Sequence, residues 1–170
     1  RRFIREKDSI LSRLTASEQA SHPEWMFDKI TTEYPDKHAD IFATNNEAPP
    51  LTIRVNQERI SREDYLSLLK ERGIVAKPGF LTNTSLYLKQ GIKVDELPGF
   101  NEGLASVQDE AAQIAASLLP CKAGEKILDA CSAPGGKATH LLETFPEIKM
   151  SLMDIDPERM AKVTENLERL

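Results

Sequence analysis

The chain has 170 residues, of which 40% are hydrophobic and 29% charged, and it carries a formal net charge of −5. This composition is typical of a folded soluble protein, and the length is enough for a core of its own. No apolar run approaches the roughly 18 residues that span a bilayer, and no secretory leader is visible. We therefore expect a cytoplasmic protein with no membrane partner. Two cysteines and three scattered histidines predict neither a disulfide framework nor a metal site.

The negative charge is concentrated in the second half of the chain. Residues 1–96 carry 15 basic and 15 acidic side chains, whereas residues 97–170 carry 7 and 12. A strong electrostatic attraction to nucleic acid usually needs a basic surplus. The following side chains near the start form either a solvated helix face or a patch that faces RNA: Arg1, Arg2, Arg5, Lys7 and Arg13.

The first part of the chain, residues 1–45, is predicted to be a helical linker. Pro23 favours a helix start, because a proline at the first helical position loses no needed N–H group. A further short helix is predicted over residues 37–44. The chain opens and closes inside helical patterns and has no initiator Met, which indicates a fragment of a longer protein.

The second part, residues 46–96, is predicted to be a small α+β domain with an RRM-like arrangement. Ser61 and Asp64 predict the start of a helix that Gly73 closes. Strands are predicted at residues 51–55, where apolar and polar side chains alternate, and at 74–75 and 86–88. Such a unit could present a sheet face to RNA. Its aromatic side chains (Tyr65, Phe80 and Tyr87) are few and favour core or edge positions over base stacking.

The third part, residues 97–170, alternates helices and strands, which predicts an α/β fold with a parallel sheet. Its pattern matches the first half of a Rossmann-like sheet, whose ligands bind beyond the carboxyl ends of the strands. The predicted elements are a helix at 107–119, a strand at 127–130, a helix at 136–145, a strand at 149–154 and a helix at 157–169.

A glycine-containing loop, Asp-Ala-Cys-Ser-Ala-Pro-Gly-Gly-Lys at residues 129–137, joins the first of these strands to its helix. A strand that enters a glycine turn and then a helix brings unpaired backbone N–H groups together, and these attract an anion. The spacing matches neither the Walker loop nor the dinucleotide motif. The loop suits a smaller anion such as a carboxylate, to which Lys137 can add a charge. The alternative is a tight turn with no ligand.

Two acidic residues compete for a place in the same site. Asp154 and Asp156 follow the second strand, about 20 residues after the loop, where an acid can accept hydrogen bonds from ribose hydroxyls. Asp156 precedes Pro157 and is the natural N-cap of the last helix, which leaves Asp154 for the ribose. Asp129 either holds the loop backbone or touches the ligand. A carboxylate site, a ribose-binding acid and an apolar pocket together suit S-adenosylmethionine.

The motif at residues 129–137 resembles the first motif of the RNA cytosine-5 methyltransferases, D-x-C-A-A-P-G-G-K. Ser132 replaces the usual alanine and Ala138 stands where threonine is common, and neither change removes a backbone donor. Further segments resemble the RsmB (Sun/Fmu) branch of that family, which methylates 16S ribosomal RNA, and these lie at residues 21–25, 45–56, 97–100 and 107–111.

The resemblance implies S-adenosyl-L-methionine as the cofactor and 16S ribosomal RNA as the partner. It assigns cofactor binding to Cys131, Ser132, Ala133, Pro134, Gly135, Gly136, Lys137 and Asp154. The family's enzymes add a cysteine thiolate to C6 of cytosine, which activates C5, and a second cysteine assists release. Those cysteines lie in later Pro-Cys and Thr-Cys motifs. Cys121 precedes the cofactor loop and Cys131 lies within it, so we assign no catalytic residue to this chain.

We therefore predict that the intact protein is an S-adenosylmethionine-dependent ribosomal RNA cytosine-5 methyltransferase and a monomer. The 170-residue chain by itself is predicted to be inactive and to bind the cofactor weakly. The family's N-terminal NusB-like domain is not present in it. One alternative is an RNA-binding or assembly module that keeps the motif as a structural turn. Another is a sister branch of the family that methylates transfer RNA.

Overall fold

A computed structural model describes residues 2–89 and 91–170, and it gives no account of the side chains of Arg2 and Phe3. The chain divides into two compact units, residues 1–49 and residues 50–170. The predicted boundaries after residues 45 and 96 remain predictions. No described helix is both long enough and apolar enough to cross a membrane.

The first unit is helical. Its helices are α1 (Arg2–Leu11), α2 (Ala16–Gln19), α3 (Glu24–Glu33) and α4 (His38–Asn45). Phe42 is the buried centre of this unit, with the Phe27 ring stacked at a centroid distance of 5.0 Å and His22 at 4.7 Å. Within the predicted basic stretch, Arg5, Lys7 and Arg13 are exposed, whereas Arg1 lies outside the described residues. Their exposure suits a solvated face and an RNA patch equally.

The second unit begins with a four-stranded antiparallel sheet in the order β2-β3-β1-β4. Its elements are β1 (Leu51–Val55), α5 (Arg62–Glu71), β2 (Ala76–Pro78), β3 (Ser85–Leu88), a 3₁₀ turn (Val94–Glu96) and β4 (Ala105–Val107). Ser61 caps α5 by accepting a hydrogen bond from the Asp64 N–H, and Gly73 ends it with a φ of +73°. One face of the sheet packs against α5 around the fully buried Ile53 and Leu86.

The other face of this sheet is also covered, because the helices that follow pack against it. These are α6 (Glu110–Leu118) and α7 (Gly136–Thr144). Polar side chains of the sheet are buried there, among them Thr52, Arg54 and Ser85. The central strands of this sheet therefore offer no open face to RNA, and a role of the domain in RNA binding stays a prediction. Phe80, which is 83% exposed, lies on the loop that leaves β2.

The last part forms the predicted parallel unit. It consists of β5 (Lys126–Asp129), α7, β6 (Lys149–Leu152) and α8 (Pro157–Arg169), and β5 and β6 pair in parallel from Lys126↔Lys149 to Asp129↔Leu152. A small core around Leu141 and Ile148 packs this unit together. The α/β fold class predicted from the alternation of strands and helices is confirmed.

Three predicted elements differ from the structure by two residues or more, and one of them is the strand predicted at 149–154, which ends at Leu152. The helix predicted from Val107 begins only at Glu110, because Val107 belongs to β4 and pairs with Ile53 of β1. The strand predicted at residues 74–75 begins at Ala76 instead. The Ile74 N–H bonds the Leu69 carbonyl and so completes the end of α5, which leaves Ile74 outside the sheet.

Candidate functional site

The glycine loop lies at the carboxyl end of β5 and leads directly into α7. Gly135 is the N-cap of α7 and has a φ of +102°, in the left-handed region that favours glycine. A Cβ at this position would lie 3.4 Å from the Cα atom of Val163 in α8. That distance is an ordinary van der Waals contact, so the positive φ, and not the packing of α8, is what favours glycine here.

The loop backbone is held in place by its neighbours. The Ser132 N–H donates to the Met153 carbonyl at 3.0 Å, which ties the loop to the end of β6. From α8, the Arg159 guanidinium donates to the Ala133 carbonyl and the Asn166 amide to the Pro134 carbonyl, each at 2.9 Å. The loop is therefore anchored on two sides, by β6 and by α8, through the protein's own groups.

Three backbone donors point away from this network. Within the part of the chain that the structure describes, the N–H groups of Gly136, Lys137 and Ala138 donate to no protein acceptor. They form the first turn of α7, where the helix dipole adds partial positive charge. The Lys137 side chain is exposed beside them. The arrangement is suited to binding a carboxylate or a similar anion.

The two competing acids have different contacts. Asp156 caps α8, since its Oδ1 accepts from the N–H groups of Glu158 at 2.9 Å and Arg159 at 3.3 Å. Asp154 turns towards the glycine loop, and its carboxylate accepts from the N–H groups of Ala133 at 3.1 Å and Asp156 at 3.2 Å. The N-cap prediction for Asp156 is confirmed, whereas ribose binding by Asp154 remains a prediction.

The Asp154 carboxylate is a charged group without solvent contact. Its side chain has no exposed surface, and Arg159 Nη1 lies 3.7 Å from its Oδ1. The hydrogen bond from the Asp156 N–H, together with the one from Ala133 and the charge of Arg159, lowers the pKa of this carboxyl group although desolvation opposes the shift. The Asp154 carboxyl group is therefore ionised at neutral pH, and it accepts a hydrogen bond from the loop backbone at Ala133.

The remaining predicted site residues lie around the same loop. Asp129 accepts a hydrogen bond from the Cys131 N–H at 3.2 Å, which favours the loop-holding alternative for this acid. Cys131 and Pro134 are exposed, whereas Ser132 and Ala133 are buried. No group of three or more His, Cys, Asp or Glu side chains able to hold a metal ion occurs in residues 2–89 and 91–170.

Sequence reasoning missed a buried arginine beneath the loop. Arg54 of β1 is 1% exposed and bonds to Gly136, the first residue of α7, and to Glu143 in the last turn of that helix. Burial lowers the pKa of the Arg54 guanidinium and raises that of the Glu143 carboxyl group, and their ion pair opposes both shifts. The alternation of apolar and polar side chains in β1 is typical of a strand with one face in solvent. In the structure both faces of β1 are buried, so the pattern did not reveal the contact of Arg54 with Glu143.

His140 of α7 lies close to this arginine and is 7% exposed. Its Nδ1 has no hydrogen-bond partner among the described residues. Burial, with a smaller contribution from the Arg54 charge, lowers the pKa of the His140 imidazole to about 4. The side chain is therefore neutral in the folded protein at pH 7.

The low pKa of His140 predicts a loss of stability in mild acid. Because the folded-state pKa lies below the unfolded value of about 6.5, protons bind the unfolded chain preferentially, and stability falls as the pH drops from 6.5 towards 4. Between pH 7 and pH 5 we expect His140 to account for about 1 to 2 kcal/mol of that loss. Urea unfolding at both pH values should show a smaller loss for His140→Leu than for the wild type. His38→Gln, in the other compact unit, should retain the wild-type loss.

A parallel strand pair with a glycine loop at a helix start defines a Rossmann-like α/β protein. The backbone donors at the carboxyl edge of its sheet are suited to an anion. Two family descriptions match most of the chain. The RsmF/B-like ferredoxin-like domain matches residues 22–95, and the 16S rRNA methyltransferase RsmB/F family matches residues 116–170. The chain belongs to the RsmB/F methyltransferase family. The ferredoxin-like match agrees with the predicted α+β domain.

Curated relatives support the same assignment over the whole length of the chain. Ribosomal RNA small subunit methyltransferase B of Proteus mirabilis is 43% identical, and a probable methyltransferase B of Coxiella burnetii is 42% identical. The matches cover 100% of this chain but only 40% of each relative. A methyltransferase homologue from Pyrococcus horikoshii shares the fold with a TM-score of 0.76 at 22% identity, covering 92% of this chain and 54% of its own.

Proposed function

We propose that this chain supplies the S-adenosylmethionine site of a ribosomal RNA cytosine-5 methyltransferase. The observation that carries the proposal is the set of three free N–H groups at residues 136–138, which lie where the loop enters α7. The carboxylate of the methionine moiety is the anion that fits them, because it is small and singly charged. The family and the relatives that the chain matches are named ribosomal RNA methyltransferases, and an enzyme of that kind needs a methyl donor.

The residues present fit the other parts of this cofactor. Ile155 follows Asp154 and is 99% exposed, and Met153 is 53% exposed, so apolar surface is available for an adenine ring at the strand ends. An ionised carboxylate has about four acceptor positions, so Asp154 can accept from a ribose hydroxyl as well as from the loop. Because its side chain has no exposed surface, a ribose reaches it only when a neighbouring side chain moves aside.

The methyl donor supplies an electrophilic methyl group, and this chain supplies the means to hold it. Cytosine C5 needs activation by a thiolate before it accepts a methyl group. Cys131 lies in the glycine loop, with its Sγ 3.9 Å from Asp154 Oδ2. Cys121 follows α6, and its Sγ donates to the Leu119 carbonyl. We propose that neither attacks the base, because Cys131 belongs to the loop proposed to hold the cofactor and Cys121 precedes that loop in the chain. We propose that the nucleophile belongs to the part of the full-length protein that this chain does not include.

The proposal extends to the substrate and the surroundings of the full-length protein. The substrate is 16S ribosomal RNA, the location is the cytoplasm, and the protein acts as a monomer. The isolated chain is proposed to transfer no methyl group and to bind the donor weakly. Methyl transfer to 16S ribosomal RNA but not to transfer RNA by the full-length protein would support this substrate, and the reverse preference would favour the transfer RNA branch.

Calorimetric titration of the full-length protein with S-adenosylmethionine tests the cofactor assignment. We expect saturable binding, and we expect Lys137→Ala to weaken it by about fivefold to tenfold because an exposed charge near the anion site is lost. Lys137→Arg keeps the charge and should retain affinity within about threefold. The effect of Lys137→Ala should shrink at high salt. The absence of binding to the wild type would favour an RNA-binding or assembly module instead.

A further inference from the structure

Arg54 uses every hydrogen-bond donor of its guanidinium group inside the protein. Nη1 donates to Gln108 Oε1 at 2.6 Å and to the Gly136 carbonyl at 2.7 Å. Nη2 donates to Thr139 Oγ1 at 3.2 Å and to Glu143 Oε1 at 2.6 Å, and Nε donates to Glu143 Oε2 at 3.0 Å. Five N–H groups in a planar fork are therefore satisfied at once. Such complete use fixes the orientation of the group relative to α7.

The three partners of Arg54 in α7 lie along one side of that helix. Gly136, Thr139 and Glu143 are separated by three and four residues, which places them in one row on a helix surface. The arginine belongs to β1 of the antiparallel sheet. It therefore joins the ferredoxin-like part of the unit to the helix that begins at the glycine loop, and the contact extends from the first residue of α7 to its last turn.

The contact at Gly136 reaches the anion site through a single peptide group. The Gly136 carbonyl and the Lys137 N–H belong to the same planar unit, so fixing the oxygen also fixes the direction of the N–H. That N–H is one of the three donors without a protein acceptor among the described residues. A cationic donor on the carbonyl oxygen also polarises the peptide and makes its N–H a stronger donor. The Gln108 Nε2 group donates to the same oxygen at 3.3 Å.

We propose that Arg54 is a positioning residue for the methyl donor, which aims and strengthens the Lys137 N–H towards the carboxylate of the ligand. The inference rests on the proposed function, since it assumes that the carboxylate of the methyl donor binds at the first turn of α7. According to this inference, the antiparallel sheet contributes to binding of the methyl donor through Arg54 of β1. Lysine cannot replace arginine here, because one ammonium group cannot bond Glu143 in bidentate fashion and reach Gly136 at the same time.

The test compares Arg54→Lys with Glu143→Gln in the full-length protein, with S-adenosylhomocysteine as the ligand in a calorimetric titration. Both variants lose the bidentate ion pair, but Glu143→Gln leaves the Arg54 contact to Gly136 in place. We expect affinity to fall at least tenfold for Arg54→Lys and to stay within threefold for Glu143→Gln, while Tm falls for both. Equal losses for the two variants would overturn the inference.

A second ligand separates positioning from a general loss of structure. 5′-Methylthioadenosine keeps the adenosine and the sulfur but lacks the amino-acid group that the N–H donors bind. Arg54→Lys is expected to lower the affinity for S-adenosylhomocysteine and to leave the affinity for 5′-methylthioadenosine within threefold of the wild-type value. Equal weakening of both ligands would show a structural role only and would overturn the inference.

The outcomes for the wild type and for a poorly folding variant are also decisive. A wild-type protein that binds neither ligand would overturn the proposed function and this inference with it. Unchanged binding by Arg54→Lys to a wild-type site that does bind would overturn the inference alone. If Arg54→Lys fails to fold, Gln108→Met takes its place, since it removes one partner of Nη1 and one donor to Gly136. Its expected loss is about fivefold to tenfold, and an affinity that stays within threefold of the wild type would contradict the inference.

Discussion

Replacing Asp154 by asparagine is expected to weaken S-adenosylhomocysteine binding to the full-length protein at least about a hundredfold. The carboxylate accepts hydrogen bonds from the Ala133 and Asp156 N–H groups and pairs with Arg159. An asparagine amide has one oxygen, so its NH₂ group would face a backbone donor in a site without solvent. The loop would lose the contact of Ala133 with Asp154 but keep the bond of the Ser132 N–H to the Met153 carbonyl, and the proposed ribose acceptor would lose its charge. Calorimetric titration measures the effect.

Asp156→Asn is the matched control for this substitution. Asp156 lies two residues later and caps α8, and asparagine is an equally good N-cap residue. We expect its affinity for S-adenosylhomocysteine to stay within about threefold of the wild type. A larger loss for Asp156→Asn than for Asp154→Asn would reverse the roles assigned to the two acids.

The parallel unit was predictable because its signals are local. Asp156 followed by Pro157 marks the start of α8, and the pair of glycines at 135–136 marks the start of α7. Each signal depends on a few neighbouring residues and on backbone geometry. The free donors of the first turn of α7 follow from the same local pattern. For this reason the position of these unpaired N–H groups among the described residues is predictable from the residues of the loop and its flanking elements.

The features that the sequence did not reveal depend on distant contacts. The strand at Ala105–Val107 has only three residues, and it exists because β1, from much earlier in the chain, pairs with it. Arg54 is buried by Glu143, 89 positions later in the chain. An arginine in an alternating strand is normally a solvent-facing residue, and no short-range pattern reveals a carboxylate that arrives from another helix. The hydrogen bonds that Asp154 accepts from the Ala133 and Asp156 N–H groups also become visible only in the folded loop.

Glu110 is a second buried acid that only the structure identifies. It lies in the first turn of α6 and is 3% exposed. Its carboxylate accepts from the N–H groups of Leu81 at 2.9 Å and Thr82 at 3.1 Å, and also from the hydroxyl groups of Ser85 and Tyr87. Burial alone would raise the pKa of this carboxyl group, but these hydrogen bonds outweigh it and lower the pKa to about 2. The carboxylate therefore attaches α6 to β3 and to the loop before it.

Glu110→Gln is expected to destabilise the protein by about 3 kcal/mol at pH 7. Glutamine offers one acceptor oxygen, so its NH₂ group would face donors that the carboxylate now satisfies. Asp109→Asn, at the exposed neighbouring position, should change stability by less than about 0.5 kcal/mol. Urea unfolding of the three proteins measures both effects, and equal stability of Glu110→Gln and the wild type would contradict the role given to this acid.

The pH dependence of the stability difference between the wild type and Glu110→Gln tests whether the ionised carboxylate causes that difference. Because the folded-state pKa of Glu110 lies below its unfolded value of 4.5, the carboxylate contributes stability above pH 4.5 and loses it as the pH falls towards 2. Glutamine does not titrate, so the gap between the wild type and Glu110→Gln should narrow from pH 5 to pH 3. A gap that stays constant over this range would show that shape, and not the ionised carboxylate, holds α6 against the sheet.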